Sequence, residues 1–218
     1  MGPTSMAPPL LLESLPQGVG SVERRLTRAG LDALIGTDEV GRGSLAGPVV
    51  AAAVALPHDC HISGLDDSKR LSATARERVA LEIRARARSF AVVELSAGVI
   101  DESDILAASR RAMACAVERV ARSLERVDLV LVDGPFTIPL ALAQRAVVRG
   151  DQLSAHIAAA SILAKVHRDR LLVALHPLWP DHGFEQHLGY ATVKHRAALR
   201  LHGVTPIHRR SFKCCHGH

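Results

Sequence analysis

Apolar residues fall into short unbroken runs that end in acids and glycines, separated by longer stretches with helical spacing. The run from Leu34 into Asp38-Glu39 and the Ala/Val run from Pro48 to Leu56 predict a strand at 35–39 and an antiparallel partner that returns beside it. Phe90 to Leu95, Leu129 to Val132 and the run Ala146-Val147-Val148 predict three more strands. Helices are expected at 22–29, where Gly30 ends the run, and from the N-cap Ser72 to about Arg88. A long one is expected from Ser103 to about Arg126, with Ile105, Leu106, Met113, Val117, Val120 and Leu124 near helical spacing. Two more follow, from Ser154 through Arg170 and from His195 to Leu201, the latter ended by Gly203. Pro177, Pro180 and Gly183 make 176–187 a loop, and residues 1–18 read as a flexible lead-in.

Three of the strand runs end in carboxylates. Asp38 and Glu39 close the first and pass into Gly41-Arg42-Gly43, Asp133-Gly134 closes the fourth, and Arg149-Gly150-Asp151 follows the fifth. In an α/β sheet, strand ends of like direction open on one edge, where ligands bind. Adjacent side chains on a strand point to opposite faces, so Asp38 and Glu39 share a ligand only at the strand's end or across a local twist. Taken alone, the pair also reads as an acidic turn bonded to its own backbone. Four acids on one edge change that balance. Two carboxylates about 4 Å apart repel by about 4 kcal/mol at an effective dielectric of 20, so the cluster requires bound cations or protonated acids. Oxygen ligands without His or Cys point to Mg²⁺ or Mn²⁺ rather than zinc. Gly41 and Gly43 let a ligand approach the backbone, and Arg42 offers a fork suited to phosphate. Carboxylates for a metal beside donors for a phosphate suggest phosphodiester chemistry.

Other charged groups have plainer readings. Asp101, Glu102 and Asp104 are expected to cap the helix that follows them, and Asp169 to pair with Lys165 four residues earlier. Lys69 and Arg70, in a polar loop, are phosphate contacts if the substrate is nucleic acid and solvated otherwise. Tyr190, the sole tyrosine, is either a core residue or a platform for a sugar or base.

With 218 residues the chain fits one large domain, or one domain with a small appendage. The net charge of +5 and a pI near 9.4 permit a polyanionic partner. Much of that excess lies after Gly189, where Lys194, Arg196, Arg200, Arg209, Arg210 and Lys213 meet no Asp or Glu, so the C-terminus reads as a basic arm or as a solvated tail. Cys60, Cys115, Cys214 and Cys215 lack metal-finger spacing and no secretory leader precedes them, which makes a cytoplasmic location the expectation. The ending Cys214-Cys215-His216-Gly217-His218 is a poor tetrahedral ligand set. No apolar run approaches the roughly 20 residues that span a bilayer.

Taken in order, these motifs resemble one family, type 2 ribonuclease H, the bacterial ribonuclease HII. They are Asp38-Glu39-Val40-Gly41-Arg42-Gly43, Asp67-Ser68-Lys69-Arg70-Leu71-Ser72, Val132-Asp133-Gly134, Arg149-Gly150-Asp151, the helix from Ala158 to Val166 with Arg168-Asp169, Gly189-Tyr190-x-Thr192-x-x-His195, and His208-Arg209-Arg210-Ser211-Phe212. The resemblance covers about Ile35 to Phe212. It implies a ribonuclease H-like α/β fold: a mixed central β-sheet flanked by helices over 19–188, and a small basic helical segment over 189–218 that helps bind the duplex. It implies hydrolysis of RNA in RNA/DNA hybrids and incision on the 5′ side of single ribonucleotides in duplex DNA. That activity serves ribonucleotide removal from DNA and leaves 3′-hydroxyl and 5′-phosphate ends.

By the same resemblance Asp38, Glu39, Asp133 and Asp151 are the catalytic acids and hold two Mg²⁺ or Mn²⁺ ions. Gly41, Arg42 and Gly43 sense the 2′-hydroxyl and backbone at the junction, and Tyr190 packs on the sugar there. Lys69, Arg70, Arg209 and Arg210 complete the expected substrate contacts. No obligate protein partner and no membrane are implied, and a monomer is the default. Where the family often has Lys, this chain has Arg149 and Arg70, and Ala191 stands where Pro or Gly is frequent. The competing readings are a DNA nuclease or resolvase with the same acids, a hybrid-binding module without turnover, and a ribonuclease confined to long hybrids.

Overall fold

Strand β1 (Leu34–Val40) is the middle of a five-stranded sheet whose order is β3-β2-β1-β4-β5. The computed structural model describes residues 18–65 and 71–216; Lys69 and Arg70 lie outside the described residues. Strand β2 (Val49–Ala55) returns antiparallel to β1, with Asp38 opposite Ala52, and β3 (Ser89–Leu95) continues the antiparallel edge. On the other side β4 (Leu129–Asp133) and β5 (Gln144–Val147) run parallel to β1. The sheet is therefore mixed.

Helices cover both faces, which explains why β2 is apolar throughout rather than alternating. Val50, Ala52 and Val54 face α2 (Ala73–Arg86) and α5 (Ala155–Leu175), whereas Ala51, Ala53 and Ala55 pack against α4 (Ile105–Ala121). A short α1 (Ser21–Arg28) closes the lower core with Val22 and Leu26 on Leu34, Leu129 and Ile157. Ser72 caps α2 by accepting from Ala75 N, as the sequence pattern predicts, and Ser154 caps α5 by accepting from Ile157 N.

The helix expected from Ser103 to about Arg126 is α4, which ends at Ala121, and Asp104 caps it as expected by accepting from the amides of Leu106 and Ala107 at 2.7 and 2.8 Å. A short helix that was not expected, α3 (Ala97–Glu102), precedes it and stops at Ser103. The loop expected at 176–187 holds two 3₁₀ turns and one turn of helix, α6 (Phe184–His187). The last helix, α7 (Val193–His202), starts two residues earlier than expected because Thr192 caps it.

Close contact sets the position of α5. A Cβ built on Gly36 would stand 2.4 Å from both the carbonyl carbon of His156 and the nitrogen of Ile157. Only a residue without a side chain lets the helix lie this low on β1, and Ala158, Ala159 and Ala160 continue the contact. Gly36→Ala therefore forces backbone apart, with an expected loss of about 3 kcal/mol. A urea midpoint within experimental error of the wild type would contradict this packing.

A smaller core joins the C-terminal segment to the sheet. Phe184 is surrounded by the rings of His182, His187, His195 and His208, all of them buried. Partners determine the tautomers. His208 Nδ1 accepts from Thr205 N at 2.8 Å, so its Nε2–H donates to His195 Nε2 at 3.0 Å, and His195 Nδ1–H donates to Tyr190 O at 2.9 Å. Both rings are neutral in this chain of bonds.

Candidate active site

The parallel register of β1 and β4 decides which acids meet. Thr37 is level with Val132, so the next residues, Asp38 and Asp133, stand side by side just past the end of the ladder that β1 and β4 share. Asp38 is 7% exposed; one oxygen accepts from the Glu39 amide at 2.7 Å and the carboxylate also takes the Ser161 hydroxyl from α5. Burial first, then the charges of Asp133 and Glu39, push the Asp38 carboxyl well above the usual carboxylate range. Glu39 is raised too, by burial and by Asp133, against the pull of Arg42, whose guanidinium lies 3.2 Å from it.

Asp133 accepts from Gly150 N at 2.7 Å. This bond draws in the 3₁₀ turn Gly150–Gln152, which follows β5 and carries Asp151, 6% exposed. Arg149 takes the left-handed conformation, φ 57°, to make that turn. Gly150 is pressed between Ile157 and Asp133, with a Cβ position 2.5 Å from the former and 3.1 Å from the latter. Asp38, Glu39 and Asp133 thus act on one another through their charges, and the bond to Gly150 brings the turn bearing Asp151 up to Asp133.

Among the described residues, no three Asp, Glu, His or Cys side chains already stand around a common point as ligands of one ion. Mutual repulsion favours such a spread. The donor set fits a hard divalent cation all the same: carboxylate oxygens, and a raised Asp38 that an added positive charge would return to the ionised form.

Beside the acids, residues 41–48 form a turn. Gly41 and Gly47 have φ of 91° and 83°. Arg42 and Gly43 are exposed, and their amides donate to no acceptor among the described residues. Ser44 bridges Tyr190, and Ala46 bridges His208, so the turn and the C-terminal segment are one unit. The half-buried Tyr190 ring has Lys165 Nζ at 5.4 Å and Arg168 Cζ at 5.3 Å from its centroid. Lys165 also makes the expected pair with Asp169, at 2.7 Å.

The two arginines of the expected basic arm part company. Arg210 is exposed, but Arg209 is 0% exposed, its guanidinium bonded to the carbonyls of Gly47 and Arg42, so it reaches substrate only through the turn. The segment is no free tail. Asp101 receives the amides of Arg210 and Ser211 and the Ser211 hydroxyl. It therefore fastens the C-terminus rather than capping α4. Sequence reasoning missed Ser161 and that function of Asp101. Ser161 had a signal, a hydroxyl within an otherwise apolar helical run.

A model of the ribonuclease HII family matches residues 35–215. The chain belongs to the ribonuclease HII family. The ribonuclease HII of Desulfotalea psychrophila is 47% identical over 93% of this chain and 90% of its own. Among solved structures, ribonuclease HII of Archaeoglobus fulgidus, crystallised in a complex with PCNA, superposes with a TM-score of 0.69 at 29% identity, covering 81% of this chain and 91% of that one. Bst-RNase HIII in complex with Mn²⁺ superposes at 0.72 with 18% identity, over 87% of this chain and 70% of that one, a likeness of fold. Membership makes this ribonuclease HII chain an endoribonuclease, a hydrolase that cleaves RNA in RNA/DNA hybrids and at embedded ribonucleotides. Among the described residues no helix is long and apolar enough to cross a membrane.

Proposed function

We propose that the protein incises duplex DNA on the 5′ side of a single embedded ribonucleotide, and RNA in hybrids, leaving 3′-hydroxyl and 5′-phosphate ends. The observation that supports it best is the register that sets Asp38 beside Asp133, with the raised acids Asp38 and Glu39 next to a turn whose Arg42 and Gly43 amides meet no acceptor among the described residues. Asp38, Glu39, Asp133 and Asp151 would hold the ions. Two Mg²⁺ or Mn²⁺ ions bound there would supply an acidified water and charge to stabilise the leaving 3′ oxygen.

The remaining work falls to the chain itself. The amides of Arg42 and Gly43 donate to the sugar edge of the junction, which carries a 2′-oxygen only in RNA. Arg42 balances the charge of Glu39 when no ion is bound and lies within reach of a phosphate. Tyr190, braced by Lys165 and Arg168, offers its ring to the deoxyribose that follows. Lys194, Arg196, Arg200 and Arg210, all exposed, lie on the phosphate backbone and add affinity that salt weakens.

An end-labelled duplex with one ribonucleotide tests this, with an all-DNA duplex as control. One metal-dependent cut 5′ to the ribonucleotide is expected, and none in the control. Cleavage of the all-DNA duplex would favour a DNA nuclease, and cleavage of long hybrids alone would remove the single-ribonucleotide reading.

A further inference from the structure

Arg168 and Arg209 are the two largest fully buried side chains of the described residues, and all their hydrogen bonds go to backbone carbonyls. Arg168 donates to Pro48 O, Leu188 O and Ala46 O at 3.1, 2.9 and 2.9 Å. Arg209 donates to Gly47 O at 3.1 Å and to Arg42 O at 2.9 Å. Four of these five carbonyls belong to the 41–48 turn. The fifth, that of Leu188, precedes Gly189 and Tyr190.

Burying two guanidiniums side by side on neutral acceptors is costly. Burial, and then the charge of Arg168, bring Arg209 down to about 9. The turn closes on itself where the Ser44 amide donates to Gly41 O at 3.3 Å, and the two arginines support other carbonyls of it. The geometry explains what the support does. In a trans peptide the C=O and the N–H of one plane point in opposite directions. When Arg209 holds Arg42 O inside, the N–H of the same peptide, that of Gly43, is turned outward, and Gly43 is exposed. Arg168 supports the neighbouring peptide from below: a Cβ on Gly41 would fall 2.2 Å from Arg168 Nε. The same guanidinium lies under the Tyr190 ring and holds Leu188, which has φ 51°.

We propose that Arg168 and Arg209 are positioning residues for ribonucleotide selectivity: Arg209, by holding Arg42 O inward, presents the Gly43 amide, and Arg168, packed under Gly41 next to the Arg42 amide, sets Tyr190 in register with these two amides. This rests on the reading that those amides meet the 2′-oxygen. Charge alone does not suffice. Lysine has a single ammonium and cannot span carbonyls that a planar fork reaches together.

The test compares Arg209→Lys and Arg168→Lys with the wild type. The affinities of a duplex with one ribonucleotide and of its all-DNA counterpart are measured by competition, with Ca²⁺ as the divalent ion so that binding is read without turnover. Thermal melts report the fold. The wild type is expected to prefer the ribonucleotide duplex. In each lysine variant the preference should fall by about tenfold, the worth of one well-made hydrogen bond, with all-DNA affinity unchanged.

A folded variant that keeps the preference overturns the proposal. So does an equal loss on both duplexes, or a loss of cooperative melting in both variants, since either assigns the pair to stability alone. A wild type without any preference would instead remove the reading of the amides on which the proposal rests, and the two failures are thereby distinguished.

Discussion

Asp133→Asn is expected to lower the rate of cleavage at an embedded ribonucleotide by about a thousandfold or more, the scale of about 4 kcal/mol of lost transition-state stabilisation. The substitution keeps the shape of the side chain and an oxygen able to accept from Gly150 N, so the turn bearing Asp151 should stay in place. What it removes is charge. Asp133 is the largest electrostatic influence on Asp38 after burial, and it raises Glu39 as well. Without metal, the variant should therefore be at least as stable as the wild type, because two buried carboxyls lose a repulsive neighbour. With metal it should bind Mn²⁺ more weakly by calorimetry. Opposite signs for apo stability and for metal affinity distinguish an ion-binding acid from a merely structural one. Activity within tenfold of the wild type would remove Asp133 from the metal site.

Acidification should destabilise the protein through the histidine core. Burial, then the neighbouring His195, bring His208 down to about 3. Burial also lowers His195 to about 4, against the bond to Tyr190 O that favours its charged form. Both rings are essentially inaccessible, at 0% and 2% for His195 and His208. Unfolded histidine titrates near 6.5. Below that pH the unfolded chain takes up protons that the folded rings refuse, so the stability is complete above about pH 6.5 and drains away as pH falls toward 4.

The slope is roughly 1.4 kcal/mol per pH unit for each ring. Asp38 and Glu39, raised in the fold, act in the opposite sense, so the comparison is made against a variant. Urea denaturation of wild type and His208→Gln between pH 7.5 and 4.5 is the measurement. The variant should lose about half of the histidine-linked slope, and equal slopes would refute the assignment. As His195 donates to Tyr190 O, acid unfolding of this core should also abolish substrate binding before the sheet melts.

Much of the architecture was legible in the chain because burial and hydrogen bonding act locally along a strand or helix. Five strand runs, the Ser72 cap and the hairpin of β1 with β2 follow from apolar runs, cap residues and short connections. The start of α4 was legible from the acids before Ile105, whereas the short α3 was not, since six residues carry too little periodicity to mark a helix. The acids were legible as strand ends. Their pairing was not: only the parallel register of β1 with β4 brings Asp38 level with Asp133.

Arg209 shows the limit most clearly. In sequence it belongs to a run of cations without an acid, which reads as surface. In the fold it lies at 0% exposure and bonds to Gly47, 162 residues away. Whether an arginine meets phosphate or backbone depends on which carbonyls lack partners around it. Those carbonyls belong to a turn whose shape arises only when α5, the turn and the C-terminal segment close on one another.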